Sequence, residues 1–184
     1  MMKTNRRRRI ICPGFTLIEL MIVITIMGII ASIAIPAFST WLPEYRLRAA
    51  AMDLFSNMQF AKRVAIKTNE KCTLVFNTEG NGSYVIERSD GTLEKIVHFS
   101  AYDPKGDIGY GCGSATKSAT VSGGSFPVDF ISYSSNKASF NSRGLGSCGY
   151  VYLANGKGSS YALGTWSAGV IVFKKWSEST ESWE

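Results

Sequence analysis

Between Leu20 and Pro43 the chain runs for 24 residues without a charged side chain. In a helix, at about 1.5 Å per residue, that is roughly 36 Å, enough to cross the approximately 30 Å hydrocarbon layer of a bilayer. Lys3 and the four arginines Arg6 to Arg9 come just before it. Basic residues ahead of a hydrophobic span stay on the cytoplasmic side, so everything after about residue 40 is expected across the membrane. The same residues account for most of the net charge of +6. Without the first 14 residues, 15 basic side chains face 14 acidic ones. Overall basicity therefore says little about what the rest of the chain binds.

A secretory signal has a short apolar core followed by a small-residue cleavage site, and this core is too long for one. A plain signal anchor fits the length and the flanking charge but leaves Glu19 unexplained. A charge at the bilayer centre costs about 2.5–3.5 kcal/mol on insertion scales and less near the interface. Glu19 either snorkels to the headgroups or has a partner and a task.

Pro13-Gly14-Phe15-Thr16-Leu17-Ile18-Glu19 and the apolar residues after it resemble the class III signal of type IV prepilins and type II secretion pseudopilins, over residues 13–38. The resemblance implies cleavage by a prepilin peptidase between Gly14 and Phe15, N-methylation of Phe15, and retention of the hydrophobic helix as membrane anchor and later filament core. Glu19 stands where the family has its glutamate, and Pro36 where it has a helix-kinking proline. The expected division is then a leader at 1–14, a transmembrane and filament-core half-helix at 15–43, and a periplasmic domain at 44–184. Cleavage before Phe15 would expose an amine. In an apolar filament core, the amine of a neighbouring subunit would offset the cost of burying the Glu19 carboxylate, which makes Glu19 an assembly residue.

After Pro43, residues Leu47, Ala50, Leu54, Met58, Ala61 and Ala65 recur at intervals of three and four, one apolar face of a helix. Asn69 is a plausible stop. A helix from Phe15 to about Thr68 would be near 80 Å long at the standard rise. The pattern then changes. Residues 72–77, 83–88 and 92–99 read as three antiparallel strands, the last two joined at Asp90-Gly91, a strong hairpin signal. Residues 100–127 read as a long loop region rich in Gly, Ser and Thr. Further strands are expected at 128–133, 137–141, 150–154, 161–165 and 169–176, and the polar tail after them is expected to fray. The fold class is α+β: a type IV pilin-like fold, with the long helix packed on antiparallel sheet.

Within that family the second half resembles the GspH/FimT type. Leu54, Ala61, Arg63 and Ala65 follow its helical pattern. Phe140, Arg143-Gly144, Gly149 and Gly169 follow its late pattern of strands and loops. The resemblance implies a minor pilin or pseudopilin near a filament tip. Its partners would be other pilins, the prepilin peptidase and methyltransferase, and the inner membrane. A major pilin is the structural alternative. Some FimT-like members bind DNA through a glycine-arginine-any-arginine sequence on the last strand, where this chain has Gly169-Val170-Ile171-Val172. Lys174 and Lys175, beside Trp176, are the candidate remnant of a DNA site; Glu178, Glu181 and Glu184 nearby oppose a polyanion.

An enzymatic reading finds little to rest on. His98, the one histidine, lies in an apolar strand pattern, and no nucleophile motif, paired-acid signature or phosphate loop appears. No catalysis, cofactor or metal is expected, and the absence of CxxC spacing argues against zinc. Of the four cysteines, Cys12 would leave with the leader. Cys72 opens a strand, and Cys112 and Cys148 lie in glycine-rich loops, so a Cys112–Cys148 disulfide is the expected pair in a compartment that permits one.

Overall fold

The computed structural model describes residues 14–184 apart from 79, 81, 121 and 122. The basic cluster Arg6–Arg9, Cys12 and Pro13 lie outside the described residues. The chain divides into two compact units, residues 1–40 and 41–184. One helix, α1 (Leu17–Thr68), contributes to both.

In the first unit α1 has no buried face. The span Leu17–Pro36 has a mean hydropathy of 2.6, and none of it is buried. Its hydroxyls bond back along the helix: Thr25 Oγ1 donates to Met21 O at 2.7 Å, and Ser32 Oγ to Ile29 O at 2.7 Å. Polar groups satisfied in this way need nothing from lipid. Pro36 sits within α1, which continues past it although the proline supplies no N–H to the ladder.

In the second unit α1 has two faces. Leu47, Ala50, Leu54, Met58, Ala61 and Ala65 are each at most 1% exposed, so the apolar stripe in the sequence is the packing face. It joins one core with Leu74, Phe76, Tyr84 and Ile86 on one sheet and Val151, Leu153 and Leu163 on another. The three alanines let the helix backbone lie close to the strands. α1 stops where expected: Asn69 follows with φ 57°, the left-handed residue that commonly terminates a helix.

The first sheet contains β1 (Cys72–Phe76), β2 (Ser83–Arg88), β3 (Leu93–His98) and β5 (Lys137–Phe140), in the order β3-β2-β1-β5. Its pairings are antiparallel. The β2–β3 turn is the expected one: Gly91 has φ +84°, and Asp90 Oδ1 accepts the Thr92 N–H at 2.8 Å. The second sheet contains β4 (Gly109–Tyr110), β6 (Gly149–Ala154), β7 (Ser160–Thr165), β8 (Ile171–Ser177) and β9 (Ser182–Trp183), in the order β4-β6-β7-β8-β9.

A buried polar group fixes the helix against the first sheet. Asn57, 5% exposed, donates from Nδ2 to Tyr84 Oη at 2.6 Å and to Asp53 Oδ2 at 2.7 Å. Lys95 Nζ on β3 donates to Asn57 Oδ1 at 3.0 Å. Such a network favours one register over apolar alternatives.

Two expectations are corrected. Residues 128–133 do not form a strand. Phe130 has φ 59°, Asp129 Oδ1 accepts the Ile131 N–H at 3.2 Å, and one isolated bridge, Ile131–Val151, remains of the pairing. A left-handed residue and a local side-chain turn break the extended backbone. The tail is not frayed either. β9 pairs with β8, the Trp176 and Trp183 rings stand 5.3 Å apart, and Trp183 Nε1 donates to Lys117 O at 2.7 Å.

The late glycine pattern also acquires a physical meaning. A Cβ on Gly169, whose φ is +74°, would lie 1.8 Å from Gly144 O, and one on Gly149 would lie 2.5 Å from the Tyr133 ring. These glycines let loops and a ring pack in close contact.

Replacing Leu54 with alanine is expected to destabilise the second unit by about 2–5 kcal/mol, read by denaturant unfolding of the full chain in detergent. A second expectation concerns alkali. Burial raises the phenols of Tyr84, Tyr110 and Tyr133 above their ordinary 10.0, and pushes the Cys72 thiol from 9.0 up to about 11. These groups are neutral when protonated and hold their protons more tightly when folded. Their contribution is whole below the unfolded values and falls as pH rises through the folded ones. Unfolding midpoints should hold up to about pH 9 and drop steadily towards pH 11.

Candidate processing and assembly site

Gly14, Phe15 and Thr16 precede α1 in non-helical conformation. Gly14 is exposed, with no atom within 4 Å of where a Cβ would stand, and Phe15 is 83% exposed. The Gly14–Phe15 peptide is thus outside helical hydrogen bonding and open to solvent.

Thr16 ends this non-helical piece. Its Oγ1 accepts the Glu19 N–H at 3.2 Å, and its carbonyl accepts the Leu20 N–H at 3.2 Å. Thr16 is therefore the N-cap of α1 and Glu19 its third residue, the spacing of a capping box. Glu19 is exposed and lies in the first turn, where the helix dipole favours a carboxylate. The Thr-x-x-Glu pattern was available in the sequence, but reading Glu19 as a membrane oddity passed over it.

The remaining candidates are not brought together. Lys174 and Lys175 are successive residues of β8, so their side chains leave opposite faces of the sheet. Lys175 Nζ bonds Glu44 Oε1, and that bond raises its pKa. Lys174 instead lines a groove of about 380 Å³ with Lys117, Tyr150, Trp166, Trp183 and Glu181.

The expected Cys112–Cys148 bridge is not formed; both thiols are free, as is that of buried Cys72. Cys148 immediately precedes β6. Tyr110, two residues before Cys112, pairs with Leu153 near the far end of that strand, and the chain then turns to Gly158, where Ser114 N–H donates to Gly158 O at 2.8 Å. Gly113 and Ser114 pack on Gly158, in the turn beyond the far end of β6, which draws this loop away from the start of the strand where Cys148 lies.

His98 ends β3 with an exposed side chain. Among the described residues, no group of three or more His, Cys, Asp or Glu could hold a metal ion.

Residues 50–172 match the family described as Type II transport protein GspH. The chain belongs to the GspH family, within the type IV pilins. Residues 12–35 also match the prokaryotic N-terminal methylation motif, which spans Gly14, Phe15 and Glu19. A type IV major fimbrial protein, FimA, from Dichelobacter nodosus is 34% identical over 116 residues, covering 55% of this chain and 69% of its own. A fimbrial protein from Pseudomonas aeruginosa is 27% identical over 125 residues, covering 59% and 75%. One from Moraxella nonliquefaciens is 45% identical over 58 residues, covering 32% and 34%. No solved structure matches significantly. Membership in this structural family implies assembly into filaments with other pilins and processing by a prepilin peptidase.

Replacing Thr16 with alanine should remove the cap at a cost of about 1 kcal/mol, or roughly fivefold in local opening. Faster amide hydrogen exchange at Glu19 and Leu20, with Leu47–Ala65 unaffected, is the expected readout.

Proposed function

We propose that this chain is a minor pilin or pseudopilin, a structural subunit that helps assemble a type IV pilus or a type II secretion pseudopilus near its tip. The observation that carries the reading is the pairing of the methylation motif over 12–35 with the GspH match over 50–172. The first of these takes in nearly all of Leu17–Pro36, a span with no buried side chain. A span of that kind needs a lipid or protein environment outside the molecule, and a filament core supplies the second.

In this reading the peptidase removes residues 1–14 from the precursor at the inner membrane, and Phe15 is methylated. Residues 15–43 anchor the subunit, and residues 44–184 sit in the periplasm until the subunit joins the filament. Glu19 pairs with the Phe15 amine of a neighbour, and Pro36 kinks the helix. Two features support the roles at the N-terminus. The Gly14–Phe15 peptide is non-helical and exposed, as a peptidase requires. The Glu19 carboxylate is presented at the exposed start of the helix.

A major pilin is the second reading, favoured by the relatives named as major fimbrial proteins. Subunit stoichiometry in sheared filaments separates the two: trace amounts fit a minor subunit and dominance fits a major one. For DNA binding, the opposite faces of Lys174 and Lys175 and the Glu44 partner of Lys175 offer no support.

Intact mass of the membrane-extracted protein should correspond to residues 15–184 plus one methyl group. Glu19→Ala should be cleaved normally yet be missing from sheared filaments. A mature N-terminus elsewhere than Phe15 refutes the processing assignment, and normal incorporation of Glu19→Ala refutes the pairing.

A further inference from the structure

Trp41 and Tyr45 form a second feature of α1 that the pilin reading does not use. Their rings stack at a centroid distance of 5.0 Å with an interplanar angle of 27°, and each residue is 55% exposed. The two are four positions apart on one helix, which places them on the same face. Both are large amphipathic aromatics. Trp41 follows the Leu17–Pro36 span by five residues of sequence. Charged side chains resume at Glu44, Arg46 and Arg48, and Arg48 is exposed.

Trp and Tyr concentrate where an apolar helix leaves the hydrocarbon, because a flat apolar ring with one polar atom fits the headgroup boundary better than water or the acyl layer. The headgroup layer adds about 5–7 Å on each side of the hydrocarbon, and five helical residues rise about 7.5 Å. The spacing therefore suits an interfacial position. From this continuity with the apolar span we propose that the Trp41–Tyr45 face is the membrane-interface contact of the unassembled subunit. It would seat against the lipid headgroup and upper acyl layer on the side of the folded domain and set the depth at which the span rests. The inference relies on the membrane-anchored reading above and adds to it a residue-level lipid contact.

The test uses the full chain reconstituted in phosphatidylcholine–phosphatidylglycerol vesicles, with flotation checked first. Tryptophan emission is compared between the unaltered protein and Trp41→Phe, with Trp166, Trp176 and Trp183 as a constant background. Quenchers are lipids brominated near the headgroup end of the acyl chain and, separately, aqueous iodide. The expected result is a lipid-quenched, iodide-protected component that is present in the unaltered protein and lost in Trp41→Phe. Equal lipid quenching of the two proteins overturns the proposal, as does a Trp41 component quenched by iodide. Protection that appears only at a high protein-to-lipid ratio also overturns it, since the face is then a contact with a second copy. Failure to float refutes the membrane anchoring itself, whereas flotation without the Trp41 component refutes this inference alone. Tyr45→Ala, which removes the stacked ring, should retain the Trp41 component; its loss there would make that component a product of the intramolecular stack and overturn the lipid assignment.

Discussion

Everything in this molecule depends on one helical backbone that has to suit two solvents. From Leu17 to Pro36 the side chains of α1 are outward-facing and, Glu19 and two hydroxyls apart, apolar, and the hydroxyls of Thr25 and Ser32 are bonded to carbonyls one turn back. From Leu47 to Ala65 the same helix has an apolar stripe on one side and polar residues on the other. A lipid-facing helix can be apolar all round, because lipid demands nothing of its direction. A domain-facing helix must keep its stripe at a period of 3.6 or lose its core. The change from one rule to the other falls near Pro43 and Glu44, where charge returns to the sequence.

The stripe in turn determines how the sheets are used. Alanines at 50, 61 and 65 let strands approach, while Leu54 and Met58 fill the space between them. Asn57 interrupts the apolar contact with a group that must be satisfied, and Tyr84, Asp53 and Lys95 satisfy it. That arrangement is poorly tolerant of sliding, since a shift of one residue would bury an unpaired amide.

Much of this was legible in the sequence because the signals were periodic. The stripe, the stop at Asn69, the Asp90-Gly91 turn and the strands around it follow from spacing and from glycine or asparagine at left-handed positions. Where reading failed, the deciding interaction was not local. Residues 128–133 look like a strand, but Phe130 turns left-handed against β6. The polar tail looks unstructured, but Trp183 finds Trp176 and a loop carbonyl far along the chain. Lys174 and Lys175 look like a pair until strand alternation separates them. Cys112 and Cys148 look bridgeable until the residues after Cys112 are seen to pack on the Gly158 turn, at the other end of β6 from Cys148. At the N-terminus the Thr16 cap is legible in the Thr16-x-x-Glu19 spacing.

The inward-bonded hydroxyls of the apolar span have a mechanical consequence. A shaft whose polar atoms are already engaged by its own carbonyls offers neighbouring shafts no directional grip. Against an equally smooth neighbour it can rotate and slip lengthwise with little resistance, as a greased rod would. Between Phe15 and Glu44 the sequence carries a single acidic tooth, Glu19, and it sits at the tip of the rod. Under the proposed pairing, the axial register between subunits rests on one catch at one end, which is the form a part takes when it must travel freely before it locks.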